Sequence, residues 1–325
     1  MINKYFEAHT LDDLMHGVLD KLLSIEDTVN PSRGEMTEIL GATLYLHNPR
    51  ARLSRSESKG KIFSALGELL WYLSGENKLE FIEYYIPEVY NKESDDGINI
   101  RSGYGNRLFD FNNAGINQIE NVINLLSEKP ASRRAVIQLF DASDLTSNYK
   151  SIPCTCTLQF INRNNKLNMF VNMRSNDAYL GLPHDIFTFT MIQEIMACSL
   201  GIEIGFYQHN VGSLHLYKKH HSKARSYLNE GWMNHKPMMP MPVTNLAESI
   251  KELKDIAEKI RNQSEVDVES TALHNYWKDI CRLLLAYHFY KKNDYSSCAN
   301  QLNYLNDRSY NVFIEDRLAK IQNRV

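Results

Sequence analysis

The residues with the clearest chemical potential begin at a cysteine that follows a proline. In the segment 152–160, Pro153 fixes the backbone just before Cys154, at the predicted start of a strand. Cys154 would act as a nucleophile if a neighbouring cation lowered the pKa of its thiol. The alternative is a buried structural cysteine. A metal site built on Cys154 and Cys156 is disfavoured because the sequence offers no matching second pair.

A second polar group lies between Met173 and Ile186. A predicted strand ends in Arg174 and Ser175, which together offer a planar cation and a short hydroxyl donor to a phosphate. A Gly-Leu-Pro turn follows, and Asp185 then begins an apolar helix. Asp185 could face a ligand or could simply cap that helix.

Three further groups carry weaker signals when each is taken alone. Arg133 and Arg134 enter an apolar strand and suit an anion, or else form a solvated surface pair. His215 and Tyr217 alternate with leucines and could hold a sugar hydroxyl, or could belong to the core. Glu68 lies among helix aromatics, either as a buried acid or base or as an ordinary helix carboxylate.

The composition bounds the class of protein. The chain has 325 residues, 43% of them hydrophobic, and a formal charge of −3. This charge argues against nucleic acid as the main partner, and any anion site must therefore be local. No apolar run is long enough to suggest a membrane span. Five cysteines, an odd number, suggest free thiols in a reducing compartment and a cytoplasmic protein.

The elements that must position these residues follow from hydrophobic periodicity. Residues 155–161 and 167–173 predict two strands of a hairpin, and residues 185–200 predict a buried central helix. After about Pro242 the sequence predicts helices only, over 246–261, 274–290 and 295–305. We therefore predict an α+β domain over 1–242 and an all-helical C-terminal extension over 243–325.

The order of these groups along the chain resembles the thymidylate synthase family. The similarity runs from about Pro31 to about His220 and is specific between Ser132 and Tyr217. The residues that carry it are Arg33, Glu68, Tyr104, Arg133-Arg134, Pro153-Cys154, Gln159, Arg174-Ser175, Asp177, Gly181-Leu-Pro183, His215 and Tyr217. The resemblance implies a twisted mixed β-sheet flanked by helices, and a homodimer whose subunits pack sheet to sheet.

The resemblance also implies roles for the reacting groups. Cys154 would add to C6 of a pyrimidine nucleotide, and Arg174 would favour its thiolate. C5 would then take the methylene of the co-substrate 5,10-methylenetetrahydrofolate, with no metal involved. Glu68 would order water for proton transfers, and Tyr104 would assist them.

The remaining site residues would hold the nucleotide and the folate. Arg33, Arg174 and Ser175 would bind the 5′-phosphate, and Arg133 and Arg134 would reach it across the dimer interface. The other implied binding residues are His215 and Tyr217 for the ribose, the Asp177 backbone for the base, Gln159 for the pyrimidine pocket, and Tyr90 and Gly181 on the folate side.

Asp185 departs from the family pattern at the position that reads the base. Ordinary thymidylate synthases have an asparagine there, whose amide pairs with uracil. An ionised carboxylate only accepts hydrogen bonds, which suits the exocyclic amine of cytosine, and a proton shared with N3 would complete the pairing. An aspartate at this position resembles the deoxycytidylate (dCMP) hydroxymethylase branch of the family, so we predict dCMP as the substrate. His184 replaces a usual aromatic residue and would tune that proton.

The C-terminal residues differ as well. Residues 320–325 do not match the apolar segment that closes over folate in the synthases, so we expect water to complete 5-hydroxymethyl-dCMP. One alternative is thymidylate synthase-type methylation of dUMP or dCMP with release of dihydrofolate. An alternative from another class is a non-catalytic nucleotide- or RNA-binding homologue.

Overall fold

One mixed sheet organises the part of the chain that the structure describes. The computed structural model describes residues 4–31, 33–54, 62–232 and 236–322, so the end of the segment 320–325, which does not match the closing segment of the synthases, lies outside it. Six strands in the described residues form the sheet in the order β1-β2-β6-β5-β4-β3. Their bounds are Tyr5–Ala8 (β1), Met36–Leu46 (β2), Val136–Gln138 (β3), Thr155–Arg163 (β4), Lys166–Asp177 (β5) and Glu203–Tyr217 (β6).

Local turn chemistry explains the central hairpin. Strands β4 and β5 pair antiparallel, and Asn164 and Asn165 connect them with φ angles of 54° and 58°. Asparagine tolerates this left-handed conformation, and two such residues match the twist of a tight hairpin. Strand β6 then runs parallel to β5 and antiparallel to β2. It extends ten residues beyond the 202–207 segment where the apolar alternation is clearest, and so brings His215 and Tyr217 into the sheet.

Helices cover the sheet, and one of them is buried on all sides. The helices in the described residues are Leu11–Leu23 (α1), Ile62–Ser74 (α2), Leu79–Tyr85 (α3), Gly105–Phe109 (α4), Gln118–Glu128 (α5), Leu182–Ser199 (α6), His221–Asn229 (α7), Leu246–Arg261 (α8), Asn275–Lys291 (α9), Tyr295–Asn300 (α10) and Asn311–Gln322 (α11). Helix α6 buries residues around its whole circumference, as its apolar sequence predicts. None of these helices is both long and apolar enough to span a membrane.

The helical C-terminal region packs directly against the body of the protein. The ring of Tyr287 in α9 stacks on Phe63 of α2, with 5.6 Å between centroids. The Tyr287 hydroxyl donates to the carbonyl oxygens of Tyr84 and Tyr85 at 3.2 and 3.1 Å. The architecture confirms the predicted α+β fold with its helical C-terminal region. The division at residue 243 stays a prediction, because buried side chains form a continuous core across it.

Several element bounds differ from the prediction for physical reasons. The segment 134–141 forms only the three-residue edge strand β3, since its polar ends face solvent. The Ser-Asp-Asp-Gly turn predicts a loop over 87–107, but helix α4 begins within that segment at Gly105 and ends beyond it at Phe109. Strand β1 and helix α11 were not expected, because their short or irregular apolar patterns gain stability only through packing on neighbouring elements.

A buried carboxylate fixes the loop after β2 to α6. Glu194 lies on α6 with no solvent exposure and accepts hydrogen bonds from Arg50 Nε at 2.6 Å, from Arg52 Nη2 and from the Met241 amide at 3.1 Å. The two guanidinium groups outweigh the effect of burial and lower the pKa of Glu194, although burial itself acts to raise that pKa. This contact ties the segment 50–54 and the segment near Met241 to the central helix.

Glu194→Gln should therefore destabilise the fold. It keeps the size of the side chain but leaves the buried Arg52 charge without its counter-ion, which costs about 3–5 kcal/mol of unfolding free energy. Urea denaturation measures this loss. The matched control, the exposed Glu203→Gln, should change stability by no more than about 0.5 kcal/mol. Equal stabilities for the two variants would contradict the proposed anchoring role.

Candidate active site

Backbone pairing between β4 and β5 places a cysteine thiol beside a guanidinium group. The Arg174 amide donates to the Cys154 carbonyl at 2.9 Å, just before the paired residues Thr155 and Met173. The Arg174 side chain turns back along the same edge. Its Nε donates to the Pro153 carbonyl at 2.9 Å, and its Nη2 lies 3.6 Å from Cys154 Sγ. The strand register thus sets the distance between thiol and cation.

Burial and charge oppose each other at this thiol. Burial raises the pKa of Cys154 above its ordinary value, and the charges of Asp185 and Glu93 raise it further. The guanidinium groups of Arg174 and Arg33 lower that pKa, but the net shift is upward. Arg174 therefore favours the thiolate, as the sequence predicts, without outweighing burial. These electrostatic effects also show that four charged side chains converge on Cys154.

A buried tyrosine and carboxylate group lies behind the thiol. The Tyr104 hydroxyl accepts a hydrogen bond from the Thr155 amide at 3.0 Å, so its own proton remains available to a second acceptor. The Tyr104 ring lies 5.0 Å from the ring of Tyr72, whose hydroxyl donates to Glu68 Oε1 at 2.7 Å. Burial raises the pKa values of both tyrosines, which are therefore neutral donors. The structure thus brings Glu68 and Tyr104 together next to Cys154.

Asp185 reaches the same pocket from the first turn of α6. Its Oδ2 accepts a hydrogen bond from Asn176 Nδ2 at 2.7 Å. Burial and the nearby Glu68 raise the pKa of Asp185 well above its ordinary value. A Cβ atom on Gly181 would lie 3.0 Å from Asn176 Nδ2 and 3.4 Å from Asp185 Oδ2, so this glycine keeps the approach open. His184 contacts the Ser64 hydroxyl and the Leu180 carbonyl with its two ring nitrogens.

An unpredicted carboxylate, Glu93, lies between Arg33 and Ser151 and acts electrostatically on the thiol. Glu93 forms an ion pair with Arg33, with 3.0 Å between Oε1 and Nη1, and its other oxygen accepts from the Ser151 hydroxyl at 3.0 Å. The Ser151 hydroxyl also lies 2.5 Å from the Ser102 hydroxyl. The Arg33 side chain is 60% exposed, so it remains accessible to an anion from solvent. Arg33 and Glu93 both act electrostatically on Cys154.

One wall of the pocket comes from the ends of β5 and β6. Asp177 pairs in register with His215, and the His215 ring packs edge-on to Tyr217 at 5.0 Å. Asp177 Oδ1 accepts hydrogen bonds from the Tyr179 and Leu180 amides, so its side chain shapes the turn that leads to α6. Burial raises the pKa of Tyr217, while Arg33 lowers it and Cys154 raises it. His215 and Tyr217 therefore lie on the thiol side of the sheet.

Ser175 and Tyr90 occupy two further sides of the pocket. Ser175 is half-buried beside Arg174 and pairs with Ser213 of β6. Tyr90 packs edge-on to Trp71, with 5.4 Å between centroids. Burial and the charges of Glu68, Glu93 and Asp185 raise the pKa of Tyr90. A half-buried aromatic ring in this position offers a surface on which a flat heterocycle can pack.

Three predicted site residues lie elsewhere in the subunit. Arg133 and Arg134 are exposed just before the edge strand β3, and the Gln159 side chain donates to the Arg133 carbonyl at 3.1 Å. Gln159 is five residues further along β4 than Cys154, a separation of about 17 Å at the usual rise of a strand. Within one subunit, these three side chains therefore do not lie beside the Cys154 thiol.

Sequence reasoning missed Glu93, Asn176 and His209, which the structure places in or behind the pocket. Glu93 lies in a loop without periodicity, so no local signal indicates its direction. Asn176 stands inside the motif that contains Arg174 and Asp177, but its contact with Asp185 depends on the turn between them. His209 gave a usable signal, because it interrupts an otherwise apolar alternation on the buried face of β6. The described residues contain no group of three or more His, Cys, Asp or Glu side chains that could hold a metal ion.

Arg174→Gln should slow alkylation of Cys154 by iodoacetamide at neutral pH about tenfold. A cation at this distance lowers a thiol pKa by about one unit or more, and only the thiolate reacts. Arg174→Lys keeps the charge and should stay within about threefold of wild type. Mass spectrometry of the Cys154 peptide separates this reaction from that of Cys156, and Cys154→Ala gives the background. Equal rates in the Gln and Lys variants would rule out electrostatic control by Arg174.

A comparison with protein-family models adds to this geometry. The model for thymidylate synthase matches residues 56–278, more than half of the chain. The matched region contains the thiol, the strand that carries Arg174 and the helix that begins with Asp185. Members of this family transfer a one-carbon unit from methylenetetrahydrofolate to C5 of a pyrimidine nucleotide. The chain belongs to the thymidylate synthase family.

Proposed function

We propose that this protein is a folate-dependent dCMP 5-hydroxymethylase. The observation that carries the proposal is the buried Asp185 carboxyl at the base-reading position, held within the same pocket as Cys154. Burial and Glu68 raise its pKa well above the ordinary value, which favours its protonated form. A protonated carboxyl offers one donor and one acceptor, and cytosine offers the complementary acceptor N3 and donor 4-amino group.

The residues around the thiol support covalent activation of the base. The Cys154 thiolate adds to C6, and electron density moves to C5, which becomes the nucleophile. Arg174 stabilises the thiolate before this step. Arg33, Arg174 and Ser175 bind the nucleotide phosphate in our proposal, far from the reacting carbon, so their binding energy orients the base.

Folate supplies a methylene group at the oxidation level of formaldehyde, and the half-buried Tyr90 offers an aromatic surface for its ring system. C5 gains this carbon and loses its proton, for which Glu68 and the neutral Tyr104 provide a route. Loss of the C5 proton expels tetrahydrofolate and leaves an exocyclic methylene on C5. Water adds its hydroxyl group to this methylene, and the electron pair that returns to the ring expels the Cys154 thiolate from C6. The balance is dCMP, methylenetetrahydrofolate and water in, and 5-hydroxymethyl-dCMP and tetrahydrofolate out.

The polar group formed by Glu93, Ser102 and Ser151 supports water as the final nucleophile. Its members share hydrogen bonds of 2.5 and 3.0 Å beside the solvent-exposed Arg33, and we infer that they bind water there. A site built for hydride transfer gains from excluding water, whereas hydroxymethylation requires it. Hydroxymethylation is therefore the outcome that these side chains favour over methylation.

We further propose that the active protein is a homodimer in which Arg133 and Arg134 complete the phosphate site of the other subunit. Both arginines are exposed and distant from the thiol of their own chain. One face of the same sheet carries half-buried aromatic side chains on β2, β5 and β6, namely Tyr45, Phe170 and Phe206. Such a flat mixed surface suits contact with a second copy.

Product analysis with dCMP, CMP and dUMP tests the proposed reaction. We expect dCMP with methylenetetrahydrofolate to give 5-hydroxymethyl-dCMP, without the near-ultraviolet absorbance change that accompanies dihydrofolate. Cys154→Ala should abolish release of tritium from C5-labelled dCMP. Dihydrofolate formation with dUMP would instead establish a thymidylate synthase, and the absence of any turnover would favour a non-catalytic binder.

Asp185→Asn should change the preferred base. The amide offers a fixed donor and a fixed acceptor that can match uracil, so we expect the dCMP-to-dUMP ratio of kcat/KM to fall at least tenfold. The control is Asp294→Asn, because the exposed Asp294 carboxylate caps helix α10 in the C-terminal region, and it should leave the ratio unchanged. An unchanged ratio in Asp185→Asn would remove the basis for assigning dCMP.

A further inference from the structure

A buried chain of hydrogen bonds continues from Asp185 into the core. Asn176 Nδ2 lies 2.7 Å from Asp185 Oδ2, and Asn176 Oδ1 lies 3.0 Å from His209 Nε2. His209 Nδ1 lies 2.7 Å from the Tyr207 hydroxyl. His209 and Tyr207 have no solvent exposure, and Asn176 is only 3% exposed. The proposed reaction uses none of these three side chains directly.

The hydrogen bonds in this chain all point in one direction. The Asn176 amide nitrogen donates to Asp185, so the amide oxygen must accept from His209. Burial lowers the pKa of His209 to about 3, so the ring is neutral and carries one N–H. That N–H is on Nε2, and Nδ1 therefore accepts from Tyr207. Tyr207, His209 and Asn176 each donate towards Asp185.

The fold leaves these hydrogen-bonded side chains little freedom to rearrange. Tyr207 and His209 lie on the buried face of β6, in the middle of the sheet between β2 and β5. Asn176 lies near the end of β5, and Gly181 approaches it so closely that even a Cβ atom would lie 3.0 Å from its amide nitrogen. Close packing of this kind favours a single orientation of the Asn176 amide.

A fixed amide determines how Asp185 presents itself to a base. Because Asn176 donates to Oδ2, that oxygen is an acceptor, and a proton retained by the carboxyl lies on Oδ1. Asp185 then offers one donor and one acceptor in a fixed order. Cytosine and uracil present opposite orders at positions 3 and 4, so a carboxyl free to exchange its proton between oxygens would accept both.

We propose that Asn176, His209 and Tyr207 are positioning residues that set base selectivity by fixing the proton on one oxygen of Asp185. We name this hydrogen-bonded chain the Tyr207–Asn176 relay. It deepens the proposed function and rests on it for the identity of the preferred base. The relay itself predicts selectivity for one base over the other, whichever base the wild type prefers.

Two substitutions of His209 test the relay. Glutamine places an amide nitrogen where the His209 Nε2 lies and keeps the donor to Asn176, whereas methionine has the same length and no donor. We expect His209→Met to lower the ratio of dissociation constants for dUMP and dCMP, the base discrimination, at least tenfold. His209→Gln should retain discrimination to within about threefold of wild type. Calorimetric titration of each nucleotide without folate measures these constants.

Tyr207→Phe provides a second test that preserves the aromatic packing. It removes the donor to His209 Nδ1 and lets the ring take the other tautomer, so discrimination should fall several-fold. A purely structural role would weaken binding of both nucleotides equally and leave their ratio unchanged. Equal ratios in the Met and Gln variants would overturn the relay. The wild-type preference is a separate result: preference for dUMP would refute the proposed substrate while leaving the comparison of variants decisive for the relay.

Discussion

The antiparallel pairing of β4 and β5 is the constraint on which the site depends. It holds the Cys154 carbonyl 2.9 Å from the Arg174 amide and leaves Sγ within 3.6 Å of the guanidinium group. A shift of the register by one residue would turn Arg174 to the opposite face of the sheet. The hairpin turn at Asn164 and Asn165 sets the register of most of the pair from the far end, and an irregularity between Thr155 and Thr157 shifts it by one residue next to Cys154.

Burial affects the two reactive groups, Cys154 and Asp185, in different ways. It raises the pKa of the Cys154 thiol, which opposes formation of the nucleophile, and the cations of Arg174 and Arg33 partly offset this effect. It also raises the pKa of Asp185, which favours the protonated form of that carboxyl group. Glu68 reinforces the second effect because two carboxylates in one desolvated pocket repel each other. The same low-polarity environment therefore disfavours the thiolate form of Cys154 and favours the protonated form of Asp185.

The approach between β5 and α6 connects Asp185, the residue that we propose reads the base, to the core. Gly181 allows the turn to close tightly enough for Asn176 to reach Asp185. The buried face of β6 then supplies His209 and Tyr207 behind it. In our proposal, selectivity for the base depends on these buried side chains of the sheet as well as on the residues that face the nucleotide. The exposed Arg33–Glu93 pair lies at the other end of the pocket, where charge meets solvent.

The sequence by itself determined the elements whose periodicity is long and regular. Helices α2, α6 and α8 and the β4–β5 hairpin follow from local patterns, and the ordered motif from Arg133 to Tyr217 indicates the family that the match over 56–278 confirms. The tertiary structure alone decided that Glu93 pairs with Arg33 and that Gln159 lies with Arg133 rather than with the thiol. It also decided the direction of the Tyr207–Asn176 relay. These contacts join residues that are distant in sequence or separated by tight turns, and only packing fixes the direction of their side chains.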